Sequence, residues 1–94
     1  MNVRRVKLDV DWAISGPNIA MVAEAIEAVT GVEAATITIT EIDLETVGTD
    51  ITVEGSELDL NGLTSAIQQA GAVVHSIDEL AFGDGIVEFT PRRR

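Results

Sequence analysis

Two hydrophobic periods alternate along this chain, and the alternation runs through twice. Val6, Leu8, Val10 and Trp12 recur at every second position with Lys7, Asp9 and Asp11 between them, the pattern of a half-buried strand. Ile19, Val22, Ala23, Ile26 and Val29 then recur at helical spacing, leaving Glu24 and Glu27 outside. "SGPN" ahead of them supplies the helix start, with Gly16 as cap and Pro17 at the first helical position, where a missing N–H costs nothing. Gly31 supplies a left-handed stop. A second strand runs from about Val32 to Asp43 and a third from Val47 to Glu54. Pairing Ile39 with Ile51 and Ile37 with Val53 places a short turn around Leu44, Glu45 and Thr46. Asp59 caps a second helix, Leu58 and Leu63 form a hydrophobic staple, and Leu60, Leu63, Ile67 and Ala70 make its inner stripe up to Gly71. Val73 to Ala81 reads as a fourth strand. After the turn "FGDGI", Ile86 to Phe89 reads as a short fifth.

Strand–helix–strand given twice predicts an α+β ferredoxin-like split β-α-β sandwich, βαββαβ, with a short C-terminal extra strand. Right-handed crossovers put strands one and three in the middle of one antiparallel sheet, with four and two outside and both helices on one face. Residues 1–90 then form a single domain and residues 91–94 a basic tail. The other sheet face has no helix to cover it, and such a face in a small domain is a usual place for a ligand or another subunit.

Charge narrows the partners. All six cations lie at Arg4, Arg5, Lys7 and Arg92 to Arg94, while the sixteen acids all fall between residues 8 and 91. Such a middle repels nucleic acid, and Trp12, Phe82 and Phe89 offer no stacking platform. This balance suits a halophilic protein, working in concentrated salt where screening suppresses self-repulsion. The absence of cysteine excludes disulfides, thiolate nucleophiles and Cys-rich zinc sites. "MNVRRVKLDVDW" has no unbroken apolar run, so it reads as neither signal peptide nor membrane anchor, and the expectation is a soluble cytoplasmic protein.

"VRRVKLDV", "TITITEIDLETVGTDITVEG" and "VVHSIDELAFG" resemble, in order and spacing, the archaeal domain-of-unknown-function family 211, with "EID.ET" and "HSIDE" the most specific pieces. The resemblance covers nearly the whole chain. It implies a ferredoxin-like fold, assembly into closed homo-oligomeric rings and an association with divalent cations, calcium in particular; it implies no reaction. One segment departs: after "LDV" this chain has "DWAISGPN", where relatives tend to carry a basic Lys-Pro-His stretch.

The candidate metal ligands are Asp9, Asp11, Glu41 and Asp43. Strands one and two run parallel in this fold, so these acids approach one end of the sheet, and Asp50 enters from the same end. Carboxylates at i and i+2 stand about 7 Å apart, suited to two sides of a cation site. A hard ion such as Ca²⁺ or Mg²⁺ takes oxygen ligands, which a hairpin tip also supplies. Beyond Ile39 the second strand outruns the helices, so its inward parity tolerates Glu41 and Asp43, while Ile42 makes the tip acidic on one side and apolar on the other. The plainer reading is a solvated, salt-adapted surface.

His75, the single histidine, reads as a packed, hydrogen-bonded strand residue before a ligand. His75, Ser76 and Asp78 do not make a triad, because adjacent strand residues point to opposite faces. No other nucleophile with a paired base is visible, so no cofactor or catalytic residue is assigned. Arg4 and Arg5 lie at the opposite end, where Asp78 and Glu79 are the expected ion-pair partners. The expected function is a non-enzymatic, self-assembling module whose rings bind divalent cations; the alternative is a small-molecule sensor binding a metabolite between subunits.

Overall fold

The computed structural model describes residues 1–91, and in it six elements follow the order that the two periods dictate. They are β1 (Val3–Ala13), α1 (Ile19–Glu27), β2 (Val32–Ile42), β3 (Thr46–Gly55), α2 (Leu60–Gln69) and β4 (Val73–Phe82). All neighbours in the sheet are antiparallel, in the order β2-β3-β1-β4, so the fold is the expected ferredoxin-like sandwich. Val6, Leu8, Val10 and Trp12 of β1 are buried in one core with Ile51 and Val53 of β3, Val22 and Ile26 of α1, and Leu63 and Ile67 of α2. Burial of each such side chain is worth roughly 1.5–3 kcal/mol, which is what holds the helices on one face. Among the described residues no helix is long and apolar enough to cross a membrane.

The helix ends are set by local hydrogen bonds. Asp59 caps α2 as expected, its carboxylate accepting from the Gly62 N–H at 3.0 Å. Gly31 and Gly71 stop the helices with φ of 92° and 100°. The start of α1 differs from expectation: its cap is Asn18, whose Oδ1 accepts from the Met21 N–H at 2.9 Å. Gly16 instead donates to the Ala13 carbonyl at 2.8 Å in the preceding turn, so Pro17 stands before the cap.

Two features of the strands also differ. The β2–β3 register pairs Ile37 with Ile51 and Ile39 with Thr49, two residues from the expected pairing. Past Ile39 the register shifts, leaving Thr40 as an extra residue before Glu41 pairs with Gly48 and Ile42 with Val47. This bulge inverts the strand's parity. Ile39 and Ile42 share the helix side, and Glu41 goes to the open face. The expected fifth strand does not form among the described residues, where Ile86–Phe89 pairs with no strand. Of the basic tail, residues 92–94 lie outside the described residues.

Candidate functional site

The open face of the sheet is charged at both ends, and the two ends are built differently. At the hairpin end, Asp11 on β1 and Glu41 on β2 flank Gly48 of β3. With no side chain at Gly48 the space between them stays open. Asp11, Glu41, Asp43, Thr46 and Gly48 line a pocket of about 280 Å³. The bulge at Thr40 is what aims Glu41 into it, so Glu41 faces the open side through a change of parity and not by keeping the inward parity of Ile37 and Ile39, as the alternation suggested.

Each carboxylate of this pocket has a different task. Asp43 Oδ1 accepts the Glu45 and Thr46 N–H groups at 2.9 and 2.8 Å, which closes the hairpin turn. These two backbone donors hold its carboxyl below the usual range. Asp11 Oδ2 lies 2.7 Å from His75 Nε2. Glu41 is exposed and makes no side-chain hydrogen bond or ion pair among the described residues. Asp9 faces the same way but sits one rung away, opposite Asp50. Of the four candidate ligands the structure therefore gathers Asp11, Glu41 and Asp43 and leaves Asp9 beside them. Among the described residues no three His, Cys, Asp or Glu side chains are close enough to hold a metal ion together. One chain does not supply the six to eight oxygens of a calcium shell.

His75 is half exposed, not packed, because Val74 pairs with the core residue Val10 and the next side chain along β4 falls on the open face beside Asp11. The Asp11 hydrogen bond and charge raise its pKa above the ordinary 6.5, and Asp9 adds to the effect. A raised folded-state pKa stabilises the fold below pH about 6.5, and that contribution disappears as pH rises through the folded value. We expect the His75 ring resonances to titrate at higher pH than an unstructured histidine, and the midpoint to fall in Asp11→Asn. A midpoint unmoved by that substitution would show that the contact is absent in solution. Ser76 donates to Asp78 at 2.7 Å, so the histidine and the serine belong to separate contacts.

The other end is organised around Arg5, which is only 8% exposed. Its guanidinium bonds Glu88 at 2.9–3.0 Å, Glu79 at 3.1 Å and Glu54 at 3.3 Å. Its own pKa is pushed further up, chiefly by Glu88 and Glu79. Glu88 is held below the usual range by Arg5, and Glu79 by Lys7 at 3.1 Å and then Arg5. Arg5–Glu79 is the expected pair; Asp78 is not a partner, and Arg4 donates instead to the Gly83 carbonyl at 2.6 Å. Glu54 and Glu88 are additions that the strand pattern does not announce. Glu54 stands opposite Arg5 across β1 and β3, and Glu88 arrives because the segment after β4 folds over the open face.

Comparison with known proteins gives a family and no reaction. An uncharacterised protein of Methanocaldococcus jannaschii is 34% identical over 86 residues, 92% of this chain and 88% of that protein. The model of the uncharacterised ArCR family, DUF211, matches residues 4–94. The chain therefore belongs to this archaeal domain-of-unknown-function family 211.

Proposed function

We propose that this chain is a non-enzymatic, self-assembling module that forms homo-oligomeric rings, with divalent cations, calcium or magnesium, acting at its acidic end. One observation carries the reading: the two ends of the sheet present unlike surfaces. Asp11, Glu41 and Asp43 line a carboxylate pocket at one end. At the other, the segment after β4 leaves Val87 93% and Phe89 79% exposed. A contact between unlike patches repeats from copy to copy and closes into a ring when the rotation allows. A cation at Asp11 and Glu41 completes its shell from water and a neighbouring copy, and it relieves the repulsion of carboxylates such as Asp9 and Asp50 set opposite each other. The acidic surface fits work in concentrated salt, which screens the same repulsion.

Native mass measurement at high salt, with and without chelator, tests the reading. Assembly is expected with calcium and a shift toward single chains after chelation. Glu41→Gln with Asp43→Asn is expected to abolish the response to calcium without unfolding, since the side-chain oxygen of an asparagine in place of Asp43 still accepts the turn's backbone N–H groups. A single chain indifferent to calcium would end the proposal. The sensor reading draws on an apolar groove of about 330 Å³ between α1 and β2, within the size range of ligand sites. Thermal stabilisation by a metabolite, with no need of metal, would favour it instead.

A further inference from the structure

The edge of β2 is unguarded. Its eleven residues, "VEAATITITEI", contain no lysine or proline, and between Ala34 and Ile39 the strand is regular. The opposite edge, β4, carries two extra residues, Asp78 and His75, in its pairing with β1, the kind of irregularity that discourages pairing. Beneath the β2 edge lies the groove of about 330 Å³, lined by Ala23, Ile26, Ala35 and Ile37 and bounded by Glu27 and Glu33. An occupant that fits is an extended apolar segment with a basic continuation.

The chain carries such a segment. "IVEFT", residues 86–90, has strand composition and alternation but no partner strand among the described residues of its own chain. Glu88 is held by its own Arg5 at 2.9 Å, while Val87 and Phe89 on either side of it stand exposed. Pro91 ends any ladder, and Arg92, Arg93 and Arg94 follow. The segment cannot fill its own groove while Glu88 is held on β1, because β1 and β2 are two strands, roughly 10 Å, apart.

We propose that residues 86–90 of one copy add to the free edge of β2 in the next copy as an antiparallel strand, seating Val87 and Phe89 in the α1–β2 groove. The inference rests on the self-assembly reading and names its contact. Backbone hydrogen bonds supply the attachment and the two side chains its register, as in other strand additions. The groove carries Glu27 and Glu33, and the sequence beyond Pro91 is basic, a complement in charge between copies whose net charge of −10 otherwise keeps them apart.

Sedimentation velocity on three full-length proteins tests this. The wild type is expected to assemble. Val87→Asp with Phe89→Asp, and separately Ala35→Asp, are each expected to run as single chains with wild-type circular dichroism, because all three positions are exposed. Each variant keeps the half of the contact that the other lacks. Their equimolar mixture is therefore expected to form two-chain species and nothing larger. Variants that assemble like the wild type, or a mixture that stays single-chain, would overturn the contact while leaving self-assembly standing. A wild type that is single-chain at every concentration would overturn both.

Discussion

A single methyl group on Gly55 is expected to destabilise the domain by about 3 kcal/mol, the upper range for overpacking, and to lower Tm by more than about 10 °C. Gly55 ends β3 where the chain crosses Gly31, the stop of α1. A Cβ there would collide with the Gly31 carbonyl oxygen, lie 2.9 Å from its carbon and press on Leu58 at 3.0 Å. None of these is the free end of a flexible side chain. The two carbonyl atoms are backbone, and Leu58 is itself buried. Gly31 has no room to retreat, because its φ of 92° and the Ser56 N–H bond to its carbonyl at 3.2 Å fix it. Gly85→Ala is the control: nothing lies within 4 Å of a Cβ there, and no change in Tm is expected. Equal melting of the two variants would mean that the crossing is looser than described.

Gly31 is legible as a helix stop, but its meeting with Gly55 is not, since it depends on the register that sets the end of β3 opposite Val32. The same limit explains the hairpin register. A shift of two residues leaves every side chain on its original face, so alternation alone fits Ile39 opposite Ile51 as well as it fits the observed Ile37 opposite Ile51. Order and topology are readable because the switch from period 2 to helical period, twice over, leaves few connected sheets that keep right-handed crossovers. Asn18 is hidden as a cap because Gly16 and Pro17 give an equally acceptable start just ahead of it. The Asn18 side-chain bond to Met21 decides between them.

At the acidic end the grouping of Asp11, Glu41 and Asp43 is legible from strand direction, and the reason for it is not. A bulge at Thr40 leaves no composition signal, yet it alone converts an inward parity to an outward one. His75 misleads for a different reason: two valines before it suggest burial, yet Val74 alone faces the core, opposite Val10, and alternation sends His75 outward. At the Arg5 end Glu79 follows from counting along antiparallel strands. Glu88 requires knowing that residues beyond the sheet return across it, a tertiary choice made by the ion pair itself. "IVEF" looks like a strand because it has the makings of one; what it lacks in a single chain is a neighbour.

Two leucines separate burial from composition. Leu8 is 1% exposed, and Leu44 is 97% exposed. Leu8 sits in the middle of a central strand, between Ile51 on β3 and Ile77 on β4, and beneath the helices. Leu8→Ala removes the same atoms as Leu44→Ala but also leaves a cavity that rigid neighbours on two strands cannot close. The expected loss is about 3–4 kcal/mol, a large part of the roughly 5–15 kcal/mol available to a typical domain. Leu44→Ala is expected to stay within about 0.5 kcal/mol in the single chain, since Leu44 crowns the hairpin turn in solvent. Urea unfolding at several protein concentrations reads both values. A copy that covers the hairpin tip would make the Leu44 cost grow with concentration, whereas the Leu8 cost stays fixed, because mass action affects only contacts made between chains. A large Leu44 cost that ignores concentration would instead place the tip inside the fold and contradict the open hairpin end on which the acidic pocket depends.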